Sequence, residues 1–295
     1  MFACAACGRI NFDSLAADAS PADAECTAFG PFSTPLKLDA VLQSPADDWF
    51  PTPSVGGTQL YYYTFRAPSQ GAAVWVAERA TSSSPFAAAS RVSSLDTADD
   101  EAQPTLTDDG LYIVFASKPS AGQHDLYASK RMSPTDAWGA PIPLTILNSA
   151  SSDFTPWISG DGLRLWFSSA RSTNFTDLYE ATRMSRAVAF EAPQLITELV
   201  SSTEDQAPTL SYDGLELFFV SGRAGGPGMF DVYTARRPSL GQPFTTPQVV
   251  PELSSARDEY GLRLSPDGTT MFLNYDTLVN GGGNADMWTA TRACQ

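Results

Sequence analysis

The chain of 295 residues has 18 basic and 33 acidic side chains, which give a net charge of −15, and 43% of its residues are hydrophobic. This composition is typical of a folded globular protein, and the negative charge repels phosphate backbones, so we expect no nucleic acid partner. No apolar stretch reaches the roughly 18 residues that a membrane-spanning helix needs.

The first 29 residues are interpreted as an N-terminal tail. In "MFACAACGRI" small side chains precede cysteine, as in the acceptor site of bacterial lipoproteins, but the basic start and the apolar run of a full signal peptide are missing. Cys4 and Cys7 therefore carry lipid, pair with each other or have no role. Residues 8–29, rich in alanine and aspartate, would be a spacer.

The placement of the cysteines favours export. The chain has four, Cys4, Cys7, Cys26 and Cys294, and all lie near its two ends. Such a distribution suits an exported protein whose termini are joined by a disulfide. We expect a periplasmic or cell-surface location, in which an N-terminal lipid is the one contact with the membrane.

From residue 48 onward the chain repeats one pattern five times. Its turn glycines are Gly57, Gly110, Gly162, Gly214 and Gly268, separated by 53, 52, 52 and 54 residues. An acid lies nine residues before each glycine, at Asp48, Glu101, Asp153, Asp205 and Glu259. An apolar run follows each glycine, and a loop then leads to "DLY" or a variant of it. A period near 50 residues indicates a repeat architecture.

Each copy predicts four short strands. The first two form a hairpin around the turn glycine, "DLY" opens the third, and an aromatic residue precedes a proline-containing fourth strand at the outer edge. Four-stranded units at this period predict an all-β fold, a five-bladed β-propeller over residues 30–295.

The two ends of the chain are expected to close this ring. The last copy lacks a fourth strand before Gln295, whereas residues 31–38, "PFSTPLKL", look like a fourth strand without a blade. We therefore expect this N-terminal strand to complete the last blade, beside residues 286–292. The same pairing would bring Cys26 and Cys294 together as a disulfide; the alternative is two unpaired thiols.

The copies resemble the WD40-like repeat called PD40, which occurs in TolB and related periplasmic propellers. The matching segments are "SPDGTTMF" at 265–272 and, more loosely, "SGDGLRLWFSSAR" at 159–171, and the resemblance covers about residues 30–293. It implies the fold but not the function, because the repeat also occurs in peptidase-associated propellers and polysaccharide lyases. TolB-like proteins have six blades and a separate N-terminal domain, so the resemblance does not transfer the partners of TolB.

Candidate binding residues are expected at one mouth of the central channel. Loops entering the first strand and loops joining the second and third strands emerge at the same end of a propeller. We call this end the loop face. The first set carries the five acids, and the residue before each acid is Asp47, Asp100, Ser152, Glu204 or Asp258. The second set carries basic residues in four copies, Arg66, Lys118, Arg171 and Arg223, with Asp276 nearby in the fifth.

Two interpretations of these charges stay open. The acids hold a cation such as calcium or grip a basic peptide. Alternatively, each acid pairs with a neighbouring base or accepts hydrogen bonds from loop N–H groups, as a repeated structural clip. Recurrence in every copy favours the second interpretation, because ligand sites normally use a few blades unequally.

Departures from the repeat are the better guide to a site. The first copy brings Trp49, the third brings Trp157 where others have threonine, and the fifth has the long segment "YDTLVNGGGNAD" that starts at Tyr275. Aromatic side chains beside polar loops stack on sugars, although such residues more often form the core between blades.

Catalytic chemistry has little support in the sequence. A single histidine, His124, excludes a His-rich metal site, and a Ser-His-Asp triad would rest on it alone. The remaining enzyme class is a carbohydrate-active enzyme, a glycoside hydrolase or lyase, that uses two of the five acids. We expect instead a monomeric, non-catalytic binding module of a bacterial cell envelope with a protein or glycan ligand and no cofactor, calcium being the one candidate ion.

Overall fold

The computed structural model describes residues 28–66, 71–119, 122–172, 175–275 and 285–295. Within these residues the chain forms five four-stranded antiparallel sheets. Three short 3₁₀ turns accompany them, at Val55–Gly57, Ser93–Leu95 and Thr197–Leu199. The predicted five-bladed β-propeller is confirmed. In the same part of the chain no helix is long and apolar enough to cross a membrane.

The strands are numbered in chain order and grouped by blade. The first blade contains β2 (Asp48–Pro53), β3 (Gln59–Thr64), β4 (Ala73–Glu78) and β5 (Ser90–Arg91). The second contains β6 (Asp100–Leu106), β7 (Tyr112–Lys118), β8 (Asp125–Lys130) and β9 (Ile142–Pro143). The third contains β10 (Asp153–Ile158), β11 (Arg164–Ser169), β12 (Asp177–Thr182) and β13 (Gln194–Leu195). The fourth contains β14 (Asp205–Leu210), β15 (Glu216–Ser221), β16 (Asp231–Arg236) and β17 (Gln248–Val249). The fifth contains β18 (Glu259–Leu264), β19 (Thr270–Tyr275), β20 (Asp286–Thr291) and β1 (Leu36–Lys37).

The ring closes as the sequence predicts. Each inner strand contacts the inner strands of both neighbouring blades, and β18 of the last blade contacts β2 of the first. The outer strand of the last blade is β1, which pairs with β20 so that Leu36 lies opposite Thr289. The N–H of Ser33 donates to the carbonyl of Thr291 at 2.7 Å, and an isolated bridge joins Phe29 to Cys294.

The predicted disulfide would join the same two chain ends. Cys294 is disulfide-bonded. Its predicted partner, Cys26, lies outside the described residues, as do Cys4, Cys7 and the rest of the predicted tail up to residue 27. The pairing of Cys26 with Cys294 therefore stays a prediction, and so does the lipid anchor.

The hydrophobic core lies between the blades. Its clusters combine side chains from adjacent sheets, such as Phe167 of the third blade with Val114 of the second, or Phe219 of the fourth with Trp166 of the third. Because each sheet buries both faces against its neighbours, the strands are apolar on both sides. This explains the continuous apolar runs of the repeat.

Every inner strand contains a bulge that the sequence analysis does not predict. The residue two positions after the acid has a positive φ in all five blades, from 49° at Thr155 to 62° at Gly261. Four of these five residues are not glycine, a rare conformation for such side chains. Neighbouring blades hold the bulge: the N–H of Phe50 donates to Asn274 Oδ1 at 2.8 Å, and that of Thr155 donates to Gln103 Oε1 at 2.8 Å.

An arginine after each third strand fixes the hairpin turn of its own blade. Its Nε donates to the carbonyl of the turn glycine at 2.5–2.8 Å, and its guanidinium lies 4.0–4.6 Å from an aromatic ring. The pairs are Arg79 with Phe86, Arg131 with Trp138, Arg183 with Phe190, Arg237 with Phe244 and Arg292 with Phe29. In the fifth blade the ring comes from the N-terminal segment, which therefore completes this contact as well as the sheet.

Candidate functional site

The five acids of the loop face are buried. They lie at or next to the first residue of each inner strand, and none is more than 1% exposed: Asp48, Glu101, Asp153, Asp205 and Glu259. A carboxylate removed from water in this way needs a partner. The partners differ between two groups of blades.

In the first, third and fourth blades the acid is an aspartate that forms an ion pair with the arginine of the predicted second set. Nη2 of Arg66 lies 2.6 Å from Asp48 Oδ1, Arg223 lies 2.7 Å from Asp205 Oδ1, and Arg171 contacts Asp153 in the same way. The same Nη2 also donates to the carbonyl six residues before the acid: Leu42, Leu147 and Leu199.

Two of the three carboxylates also accept a hydrogen bond through their second oxygen. The N–H of Ser44 donates to Asp48 Oδ2 at 2.6 Å, and the N–H of Ser149 donates to Asp153 Oδ2 at 2.6 Å. Each guanidinium lies over two aromatic rings, for example Arg171 at 5.1 Å from Phe167. The contacts join the start of one strand to the loop before it, as a structural clip does.

The second and fifth blades have a glutamate without an arginine. Glu101 accepts hydrogen bonds from the N–H and hydroxyl of Thr97, and Glu259 from those of Ser255, at 3.0 Å and 2.6 Å. Burial raises the pKa of Glu101 to about 6 and that of Glu259 to about 8. At neutral pH Glu259 is therefore mainly protonated, whereas the three aspartates each face an arginine.

Tyr275 replaces the arginine in the fifth blade. Its hydroxyl donates to the carbonyl of Leu253 at 3.0 Å, the carbonyl six residues before Glu259. The aromatic side chain is 6% exposed and belongs to the core. Asp276 and residues 277–284 lie outside the described residues.

Replacing Glu259 by glutamine is expected to flatten the pH dependence of stability. The pKa of Glu259 in the folded chain, about 8, is above its ordinary value of 4.5, so the folded state binds more protons between these values. Its contribution to stability is complete below about pH 4.5 and is lost as the pH rises through 8. Urea unfolding at pH 5 and pH 8 measures this difference, which we expect to shrink by on the order of 3 kcal/mol in Glu259→Gln. An unchanged difference would contradict the prediction.

The residues before the acids also connect neighbouring blades. Asp100 of the second blade accepts a hydrogen bond from the N–H of Ala72 in the first at 2.9 Å, and Asp47 accepts one from Ala285 in the fifth at 2.9 Å. Asp258 accepts bonds from two N–H groups of the fourth blade. The negative charges of the loop face thus fix the loops that begin the third strands.

The predicted aromatic residues lie in three different places. Trp49 is partly buried and packs edge-on against Tyr260 at 5.9 Å on the loop side. Tyr275 is buried as described. Trp157 lies near the opposite end of its strand, next to Ser159 and Gly160, and is not brought together with the acids. The single histidine, His124, contacts the ring of Phe154 at 5.7 Å, and burial lowers its pKa to about 4.

The end opposite the loop face carries the five hairpin turns, and we call it the turn face. Here a buried arginine that the sequence analysis missed occupies the central axis. Arg263 is 2% exposed; it donates to the carbonyls of Leu262 at 3.0 Å and of Pro156, and to Thr52 Oγ1 at 3.2 Å. With the carbonyl of Pro208 at 3.4 Å, its partners come from four different blades, so its guanidinium ties the ring together at the centre. Among the described residues it forms no ion pair.

Two clefts open on the turn face. The axial cleft, of about 50 Å³, is lined by Thr52, Asp108 and Arg263 among others. The outer cleft, of about 150 Å³, lies between the third and fourth blades and is lined by Trp166, Arg164 and Arg237 among others. Trp157 and Tyr212 line both clefts, so the two clefts are neighbours.

No cluster of metal ligands is present in the described part of the chain. No three side chains of His, Cys, Asp or Glu there are grouped as metal ligands. Calcium binding therefore stays a prediction.

Comparisons with known proteins identify the fold. No family model matches the chain, and no curated relative matches it. Solved structures similar to it include a thermostable family-43 glycoside hydrolase, 14% identical with a TM-score of 0.60, covering 87% of this chain and 92% of that one. A family 117 glycoside hydrolase, Zg3597 from Zobellia galactanivorans, is 12% identical with a TM-score of 0.59, covering 90% and 89%.

TolB belongs to the same set of similar structures. TolB from Acinetobacter baumannii is 15% identical with a TM-score of 0.53, and the match covers 86% of this chain but 56% of the TolB chain. At these identities the likeness shows the fold, which the chain shares with both TolB and glycoside hydrolases. Membership of the PD40 repeat family stays an interpretation of the sequence.

Proposed function

We propose that this chain is a non-catalytic binding module that works outside the cytoplasm. The observation that carries the proposal is the burial of the five acids of the loop face, each at most 1% exposed. Cleavage of a glycosidic bond by carboxyl groups requires two of them to face the substrate. Three of the five acids are instead paired with arginine inside the protein.

The ends of the chain support the extracytoplasmic part of the proposal. All four cysteines lie there, and the tail resembles a lipoprotein acceptor site. The binding partner in this proposal is a protein or a glycan, held by a monomeric propeller that is tethered to an envelope by its tail. The net charge of −15 opposes binding to nucleic acid.

A carbohydrate-active enzyme is the second candidate. One observation favours it: the raised pKa values of Glu101 and Glu259, about 6 and about 8, are the property that a general acid requires near neutral pH. Both carboxyl groups are nevertheless no more than 1% exposed, so a substrate would reach them only after the loop face had rearranged.

Incubation of the full chain with a panel of plant and microbial polysaccharides is expected to release no new reducing ends or unsaturated sugars. Hydrolysis produces the first and lyase action the second, so both enzyme classes are covered. Glu259→Gln and Glu101→Gln serve as controls, because neither substitution removes an ion pair. Turnover that either substitution abolishes would overturn the non-catalytic proposal and support the enzyme.

A further inference from the structure

The turn face carries a groove that departs from the fivefold repeat. It consists of the axial and outer clefts together, and we call it the turn groove. It runs from Arg263 at the axis, past Trp157 and Tyr212, to Arg237 between the third and fourth blades. The acids of the loop face lie at the other end of the inner strands and do not line it.

The two departures in the inner strands both line this groove. Four residues after the acid, three blades have a threonine: Thr52, Thr105 and Thr209. Thr52 donates to the carbonyl of Pro104 at 2.7 Å, and Thr209 accepts a hydrogen bond from the N–H of Leu264 at 3.0 Å. Threonine at this position therefore connects adjacent blades. The third blade has Trp157 there and the fifth has Arg263. The repeat does not require these side chains, which makes them candidates for binding.

The outer cleft contains two buried hydrogen-bond donors without acceptors. Nε1 of Trp166 and Nη2 of Arg237 have no partner within the described residues, and the two side chains are 1% and 7% exposed. A buried donor without an acceptor is costly. The equivalent Nη2 of Arg183, between the second and third blades, has no partner within the described residues either, whereas that of Arg292, between the fourth and fifth, donates to Glu216 Oε2 at 2.9 Å.

One residue accounts for the difference between Arg237 and Arg292. Glu216 lies two positions after its turn glycine, and the corresponding residue of the third blade is Arg164. Arg164 lines the outer cleft and pairs with Glu180 at 2.6 Å, so it brings a second guanidinium to the place of a carboxylate. A ligand that carries an anionic acceptor complements this cleft.

Carboxylates also line the groove, and most of them are occupied. Asp161 accepts hydrogen bonds from Ser159 Oγ and the N–H of Leu163, and Asp213 is bound in the same way within its own turn. Asp108, in the axial cleft, is half-buried, and burial raises its pKa. It offers an acceptor to ligand hydroxyl groups in the cleft that Arg263 also lines.

We propose that the turn groove binds an acidic oligosaccharide, a short sugar chain whose units carry a carboxylate. The faces of Trp157 and of Tyr212, which is 74% exposed, stack on sugar rings. Arg164, Arg237 and Trp166 bind the carboxylate, and Asp108 accepts sugar hydroxyls. This inference rests on the proposed binding function and adds its ligand class and its site.

Calorimetric titration of the full chain with acidic sugar trimers tests the inference. The probes are trimers of mannuronic, galacturonic and glucuronic acid, each compared with the neutral trimer of the parent sugar at 0.15 M salt. At least one acidic trimer is expected to bind ten-fold or more tightly than its neutral match. Equal affinity of acidic and neutral trimers, or no binding of any acidic trimer, would overturn the inference.

Variants locate the site. Trp157→Thr gives the third blade the threonine of the first, second and fourth blades and is expected to weaken binding at least ten-fold. Because Trp157 packs against the core of the third and fourth blades, the melting temperature of this variant is measured as well. Arg164→Gln is expected to weaken binding of the acidic trimer selectively. Met229→Ala, an exposed residue of the loop face (74%), should bind as the unchanged chain does. If neither Trp157→Thr nor Arg164→Gln changes the affinity, the turn groove is not the binding site.

The same samples separate this inference from the proposed function. Release of sugar products would contradict the non-catalytic proposal. The effect of Trp157→Thr on affinity would still show whether the turn groove is the binding site. Conversely, another ligand could bind tightly and equally well to the unchanged chain and to Trp157→Thr. That result would support the proposed binding function and contradict the turn groove as the binding site.

Discussion

Replacing Asp153 by alanine is expected to lower the free energy of unfolding by about 3 kcal/mol or more, because it leaves a largely buried arginine without its counter-ion. Asp153 is 0% exposed and accepts hydrogen bonds from Arg171 and from the N–H of Ser149. The alanine variant loses both. Urea denaturation at pH 7 measures the change.

A double-mutant cycle distinguishes the ion pair from simple loss of packing. Arg171→Leu alone leaves a buried carboxylate, whereas the double variant with Asp153→Ala leaves neither charge unpaired. We therefore expect the double variant to be more stable than the sum of the single changes predicts. Glu252→Ala, an exposed acid, is the matched control and should change stability by less than about 0.5 kcal/mol. Additive single effects would show that the pair contributes nothing as a pair.

The architecture was predictable because the repeat appears in several independent features. The spacing of Gly110, Gly162 and Gly214 would not by itself identify a propeller, but the acid, the apolar run and "DLY" keep the same spacing. The unmatched strand at residues 31–38 then predicted the closure that the pairing of β1 with β20 confirms. Each of these features is local in sequence, or follows from counting strands.

The candidate site was less predictable, because burial and direction depend on the assembled ring. The sequence places Asp153 and Arg171 in loops at one end of the propeller and favours pairing of the acids with neighbouring bases, but it does not show that this pair is buried. Likewise, "EYGLRL" does not reveal that Arg263 reaches the axis, since its partners come from four blades. Trp157 was recognised as a departure from the repeat, yet only its place along the inner strand shows which face it serves.

The positive φ in the inner strands is a further case. Phe50, Gln103 and Thr155 share this conformation but have no residue type in common. The bulge is held by side chains of the preceding blade, so propensity gives no signal for it. It also lets the carbonyls of Pro104 and Pro156 accept hydrogen bonds from inner-strand side chains of other blades, Thr52 and Arg263.

Replacing Phe32 by alanine is expected to cost about 3–5 kcal/mol of unfolding free energy, the range for removing a buried phenylalanine side chain. Phe32 is 6% exposed although it lies in the N-terminal closing segment. Its ring packs edge-on against Phe218 of the fourth blade at 5.8 Å and lies 4.8 Å from the guanidinium of Arg292 in the fifth. The segment thus closes the ring through side-chain packing as well as strand pairing.

Leu36→Ala provides the matched control in the same segment. Leu36 takes part in the pairing of β1 with β20, but its side chain is 71% exposed, so the expected change is below about 0.5 kcal/mol. Thermal and urea unfolding of both variants, each under oxidising and reducing conditions, separate the packing of the segment from a disulfide at the chain ends. If Phe32→Ala is as stable as Leu36→Ala in the reduced protein, the segment does not hold the ring closed, and the last blade is stable with three strands.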